Sequence, residues 1–242
     1  MKPIKFAIVI LIGIGLVQGG AVRMLSEANN NNNKDNEELE AAGGDKIKLP
    51  SPRLDSSISV EKALSKRRSV RAYKNEALSL GEVSQLLWAA QGITDKARGL
   101  RTAPSAGALY PLEVYIITGS VMSVDQAFYK YEPAEHALIK VKNGDLRPQL
   151  MAAALGQTPV RDAALVIAIT AVYERTMQKY GERGRRYVWL EAGHAAQNLY
   201  LQAVALNLGL VVIGAFDDEA VKRILSLAER EFPLYLIPVG RI

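Results

Sequence analysis

The chain has 242 residues, of which 49% are hydrophobic and 23% charged, with a formal net charge of +5. That is enough apolar material for one sizeable core and too little unbalanced charge to argue for nucleic acid as a partner. Cysteine is absent and only two histidines occur, His136 and His194, so disulfides, thiolate catalysis and Cys-type zinc sites are excluded and no metal site is expected.

Lys2 and Lys5 precede an unbroken apolar run from Phe6 to Val17, which Gln18-Gly19-Gly20-Ala21 follow. A basic start, a short apolar run and small residues predict a secretory signal or a membrane anchor over residues 1–22. With the lysines held inside, the rest of the chain would be exported or anchored facing outside the cytoplasm. Residues 23–45, with Asn29 to Asn33 at their centre, have almost nothing to bury and read as a disordered polar tether. A folded domain is expected over 46–242.

Ser59 is placed to cap a short helix carrying Val60, Ala63 and Leu64, with Glu61 in its first turn. Arg67-Arg68-Ser69-Val70-Arg71 follow, at the helix C-terminus and in the turn beyond it. Cations there complement the helix dipole. The planar guanidinium fork also suits a phosphate or carboxylate. Ser79 and Glu82 form a capping box for a helix with Val83, Leu86, Leu87 and Ala90 on one face, which Gly92 stops. Gly99 to Pro104 reads as a loop, and the small residues Ser105, Ala106 and Gly107 would let a flat ligand approach the backbone.

Glu113 to Thr118 reads as a strand, Tyr129 to Lys142 as a hairpin turning near Pro133, and Leu146 to Leu155 as a helix. Ala163 to Val172 is continuously apolar, as in a strand buried on both faces. The longest helix is expected over Arg185 to Leu208, ended by Gly209. Its small residues permit close approach of another helix or a ring system. His194 reads as a core histidine there, with Glu191 on the same side. A short strand (Leu210 to Ile213), a turn through Gly214 and Ala215, a helix capped by Asp217 or Asp218, and a last strand, Leu234 to Val239, complete a loosely alternating α+β pattern. No dinucleotide fingerprint, P-loop, H-E-x-x-H or G-x-S-x-G elbow is present.

Five stretches, in order, resemble one family. They are Arg67 to Tyr73, Ala103 to Pro111, Tyr129 to Leu138, Leu190 to Asn198, and Pro238 to Arg241. Together they resemble the nitroreductase superfamily of FMN enzymes, in its SagB/ThcOx-type dehydrogenase branch, named for azoline oxidases. The resemblance implies a mixed sheet flanked by helices, in an intertwined homodimer with flavin at the interface. It implies that Arg67, Arg68, Ser69 and Arg71 bind the flavin's phosphate, ribityl chain and pyrimidine edge. Pro104, Ser105, Ala106 and Gly107 would line the ring, Gly214 and Ala215 would turn backbone N–H groups to its reactive edge, and Arg241 would contact the phosphate. Lys179 and Tyr180 resemble a Lys-Tyr pair that serves as base in azoline oxidation. The activity implied is hydride transfer from NAD(P)H, a transient donor, to an electron-poor small-molecule acceptor. The alternatives are a dehydrogenase passing electrons to oxygen and a flavin-binding protein without turnover.

Overall fold

The computed structural model describes residues 45–242. The signal or anchor expected over 1–22 lies outside the described residues, as does the tether expected over 23–45 apart from Asp45. Described in chain order are β1 (Lys46–Lys48), α1 (Val60–Lys66), α2 (Leu80–Gln91), β2 (Ile93–Asp95), β3 (Leu100–Arg101), β4 (Leu112–Thr118), β5 (Ala127–Glu132), β6 (Ala137–Asn143), α3 (Arg147–Ala153) and α4 (Pro159–Asp162). Then come β7 (Leu165–Val172), α5 (Glu174–Tyr180), α6 (Arg183–Ala205), β8 (Leu208–Leu210), α7 (Asp218–Leu225) and β9 (Glu231–Arg241).

Seven strands form one sheet in the order β1-β6-β5-β4-β7-β9-β8, and every ladder is antiparallel. Among the described residues, parallel pairing enters only as single bridges, Ser69 with Leu210 and Leu78 with Val121. The fold is therefore α+β, with a large antiparallel sheet flanked by helices. Side-chain alternation with period two divides the core between the two faces. Val114 and Ile116 of β4 join Ile167 and Ile169 of β7 on the face covered by α2 and α6. Tyr115 and Ile117 point the other way, toward Leu150, Val160, Val221 and Leu225 of α3, α4 and α7. The continuous apolar run of β7 is buried on both faces, as its composition requires.

The capping box forms. Ser79 Oγ accepts the Glu82 N–H at 3.3 Å, and Glu82 Oε2 accepts the Ser79 N–H at 2.8 Å. Gly92 ends α2 because the chain passes so close to Trp88 that a Cβ would lie 2.2 Å from its ring. Two expectations about where elements lie change. Residues 99–104 are not all loop, since Leu100–Arg101 pair with Ile93–Asp95 in a small hairpin. The long helix ends at Ala205, with Leu206 as its cap and the left-handed Asn207 (φ 56°) turning the chain. Gly209 instead lies in β8, where a Cβ would collide with Ile242 and Val70.

The small residues of α6 are spent inside the chain. Ala192, Ala195, Ala196 and Ala203 are buried in the core shared with α2. They are thus no argument for contact with a second copy. Trp189 and Leu190, by contrast, are 57% and 50% exposed. His194 is exposed, against the core reading, whereas Glu191 is buried. Val188, Ala192, Ala195 and Leu199 define the inner stripe, and Glu191 falls on it while His194 falls off it.

Candidate functional site

Two groups of the sequence-predicted residues assemble, at different ends of α6. The first is built on the chain leaving α1. Ser59 caps α1 through the Lys62 N–H, and Arg67 closes it by donating its N–H to the Ala63 carbonyl at 2.9 Å. The segment then docks on the end of the sheet, with the Val70 N–H on the Leu210 carbonyl and the Lys74 N–H on the Arg241 carbonyl. Tyr200 of α6 organises what lies between. Its ring carries the Arg67 guanidinium 5.1 Å from the centroid. Its hydroxyl accepts the Val212 N–H at 3.1 Å and shares a 2.8 Å hydrogen bond with Ser69 Oγ. Tyr73 adds a second clamp, donating to the Val70 and Pro238 carbonyls while its ring packs on Gly240, where a Cβ would stand 2.7 Å away. Burial raises its phenol well above the usual value.

Arg68 folds back onto the carbonyls of Ser65 and Arg67, and Arg71 is exposed. Among the described residues the three positive charges of Arg67, Arg68 and Arg71 meet no carboxylate. Arg241 differs. Its guanidinium makes two parallel hydrogen bonds to the Glu82 carboxylate. Gly214 and Ala215 follow β8 and are exposed. The β8–β9 ladder stops at Leu210; beyond it the Val211 N–H reaches the Pro238 carbonyl at 3.4 Å and Ile213 bridges to Leu236.

The second group is the loop after β3. Its backbone is left-handed at Gly107 (φ 65°) and also at Ala108 (55°) and Tyr110 (45°). Side-chain-bearing residues rarely hold that conformation without support, and such strain collects at functional sites. Lys179 and Tyr180, at the end of α5, lie directly over Gly107. A Cβ there would meet Tyr180 Oη at 2.9 Å and Lys179 Nζ at 3.0 Å. The expected Lys-Tyr pair and the expected ring-lining loop are thus brought together.

Arg175, one turn before Lys179, ties α5 to the sheet. It pairs with Glu113 at 2.6 Å and donates to the Tyr110 carbonyl at 3.3 Å. Burial alone would raise the Glu113 carboxyl, but Lys130 and Arg175 hold it at about 2. Glu231, across the sheet and bonded to Tyr115 and Thr170, is pushed upward, first by burial and then by the charge of Glu113. Sequence reasoning missed Tyr200, Arg175 and Glu113. Glu191 faces inward as read, on the apolar stripe of α6, and His194 does not.

The two groups do not meet within one chain. Tyr187, which packs edge-on against Tyr180, and Tyr200, which holds Arg67, are about 20 Å apart along α6 at 1.5 Å per residue. A separate cleft of about 360 Å³, between α2, α6 and the chain entering and forming α1, contains none of the residues expected to bind the flavin and neither member of the Lys-Tyr pair.

This arrangement, an antiparallel sheet with an arginine-serine segment docked on its edge and a strained small-residue loop beside a long helix, is that of a nitroreductase-type oxidoreductase. The nitroreductase family profile matches residues 64–241, and the chain belongs to the nitroreductase family. It is 46% identical over 198 residues to a protein of Methanocaldococcus jannaschii designated a nitroreductase, covering 82% of this chain and 98% of that one. It is 28% identical over 158 residues to the microcin B17-processing protein McbC of Escherichia coli, covering 63% of this chain and 58% of McbC. Among solved structures, one designated a nitroreductase from Anabaena variabilis superposes with a TM-score of 0.72 at 33% identity. That match covers 82% of this chain but only 42% of the Anabaena protein. A nitroreductase-designated structure from Ralstonia eutropha gives 0.71 at 29% identity, covering 81% of this chain and 89% of the other. The chain thus spans a little over half of McbC and less than half of the Anabaena protein.

Proposed function

We propose that the chain is an FMN-dependent oxidoreductase that moves a hydride between a reduced nicotinamide cofactor and an electron-poor small molecule. The observation that carries this reading is the arginine-serine segment held on Tyr200. Its guanidinium groups meet no carboxylate among the described residues, and its serine hydroxyl is aligned beside them. That donor set fits a terminal phosphate. When bound, FMN supplies the redox group that accepts a hydride and releases it.

The chain's own residues bind and orient. Arg67 and Ser69 hold the phosphate, with Arg68 beside them. Arg71 carries positive charge to the pyrimidine edge. Pro104, Ser105, Ala106 and Gly107 line the ring, and Gly214 and Ala215 offer backbone N–H groups to its reactive edge. Arg241, already shared with Glu82, adds charge at the phosphate end rather than a free donor fork. Since the two groups lie at opposite ends of α6, a homodimer in which each site draws one group from each chain would complete the site. The exposed Trp189 and Leu190 support such a contact.

A second reading, a dehydrogenase acting on a heterocyclic substrate in the manner of the azoline oxidases, is favoured by the seating of Lys179 and Tyr180 on Gly107. The test is direct. Purified protein is expected to be yellow, to release FMN on denaturation, and to oxidise NADH or NADPH when a nitroaromatic or quinone is supplied. A colourless protein that takes up no added FMN would overturn both readings. Activity on an azoline substrate that Lys179→Ala and Tyr180→Phe abolish, with the NAD(P)H-driven activity retained, would select the second.

A further inference from the structure

Beneath the Ser105–Tyr110 loop lies a buried polar cluster to which the oxidoreductase reading gives no role. Glu191 is 2% exposed on the inner stripe of α6, and Gln91, the last residue of α2, is fully buried. Among the described residues, Glu191 Oε1 and Gln91 Nε2 are buried atoms without a hydrogen-bond partner. Arg101 of β3 donates Nη1 to Gln91 Oε1 at 3.1 Å, which leaves Nε2 as the end of the amide available to Glu191. Ser105, like Gln91, is close enough to favour the ionised carboxyl. Its Oγ accepts the Tyr110 N–H at 2.9 Å, so its own proton is available to Glu191. A chain of polar contacts therefore runs from Glu191 through Ser105 to the left-handed Tyr110. On the outer side of the same loop, Gly107 meets Lys179 and Tyr180.

We propose that Glu191 is the positioning residue of this loop. Through Ser105 it holds the left-handed backbone at Ala108 and Tyr110, and its gain or loss of a proton resets the Gly107 face that Lys179 and Tyr180 meet. An ionised Glu191 can only accept, so Ser105 and Gln91 both donate to it. A protonated Glu191 becomes a donor and reverses the bond to Ser105. Burial pushes its carboxyl up to about 7, against Ser105, Arg101 and Gln91, which pull it down, so both forms are populated near neutral pH. The groups facing it are Gln91 from α2, Arg101 from β3 and Ser105 from the loop. Glu113 and Arg175 stand behind Arg101, and His194 lies outside on the exposed face. The effect on chemistry rests on the FMN reading above, whereas the setting of the loop does not.

The test uses the full chain without added FMN. Backbone amide resonances of Gly107, Ala108 and Tyr110 are followed from about pH 5 to about pH 9, the range in which a carboxyl shifted to near neutrality titrates. The expected result is one shared midpoint near 7 that disappears in Glu191→Gln, while the rest of the spectrum is preserved. Gln91→Leu, which removes a donor to the ionised form, is expected to raise the midpoint. It also decides the matter if Glu191→Gln does not fold. Resonances that stay flat in the native protein, a midpoint that survives Glu191→Gln, or one that Gln91→Leu leaves in place would overturn the proposal. Failure of the FMN reading is seen separately, as a protein that takes up no FMN, and leaves this titration intact.

Discussion

Arg241 and Glu82, 159 residues apart in the chain, face each other fork to fork, with Nη1 2.8 Å from Oε1 and Nη2 2.9 Å from Oε2. The same carboxylate closes the capping box of α2 by accepting from the Ser79 N–H and hydroxyl. One side chain therefore fastens the last strand to the start of a core helix. Arg241→Ala is expected to destabilise the FMN-free protein by about 1–3 kcal/mol, because it leaves a largely buried carboxylate short of its charged donors. Urea denaturation with and without FMN checks this. A loss of stability seen only with FMN present would show that the arginine serves the phosphate and not the fold.

Gly107→Ala should be far more harmful than Gly214→Ala. At Gly107 the new methyl would meet Tyr180 Oη and Lys179 Nζ, and the backbone is left-handed. At Gly214 the nearest atoms, on Tyr235, lie at 3.6 Å. The strained position should cost about 1–2 kcal/mol and displace the Lys-Tyr pair, whereas Gly214→Ala should change stability by less than about 0.5 kcal/mol. Thermal unfolding of the two variants side by side tests the contrast.

Two buried carboxylates should shape stability against pH in opposite senses. The folded Glu191 binds its proton more tightly than the unfolded side chain does. Stability is thus lost as pH rises from the usual 4.5 to about 7. Glu191→Gln should gain up to about 3 kcal/mol over the native chain above that range and nothing below it. Glu113 is the reverse case. Its carboxyl, held at about 2, contributes stability above pH 4.5 that is lost as pH falls toward 2. Glu113→Gln should destabilise at neutral pH by about 3–5 kcal/mol, since Arg175 and Lys130 would both lose the carboxylate that pairs with them. Chemical denaturation at several pH values resolves both.

The arginines should separate by role. Arg67→Ala removes the guanidinium stacked on Tyr200 and should weaken FMN binding by roughly 30- to several-thousand-fold, the effect of losing about 2–5 kcal/mol. Arg71→Ala should spare much of the affinity and lower the flavin's midpoint potential. Normal affinity and potential in both variants would mean that the segment is a solvated helix end.

What was legible in the sequence was local. The α2 capping box, the two-faced burial of β7 and the hairpin of β5 and β6 are each specified by residues within a few positions of one another. What was not legible depends on partners far away. Nothing near Tyr200 says that it will meet Ser69, 131 positions earlier, and nothing near Arg241 points to Glu82. The Lys-Tyr pair could be named from resemblance, but its seat on Gly107 needed α5, a short helix with no capping side chain to announce it. Glu191 faces the core as the sequence implies, but His194, three residues on, does not, because the boundary of the apolar stripe runs between them.

The docking of the arginine segment also sets an order of assembly. Val70 waits for Leu210, Tyr73 for Pro238 and Gly240, and Lys74 for Arg241. Tyr73 and Pro238 alone close a loop of 165 residues, and contacts of such separation form late in folding. A nascent chain would thus carry its arginines in no defined geometry until β9 has been made and paired. Capture of an anion would then be among the last abilities the protein acquires, and a half-made chain would have no cradle with which to hold one.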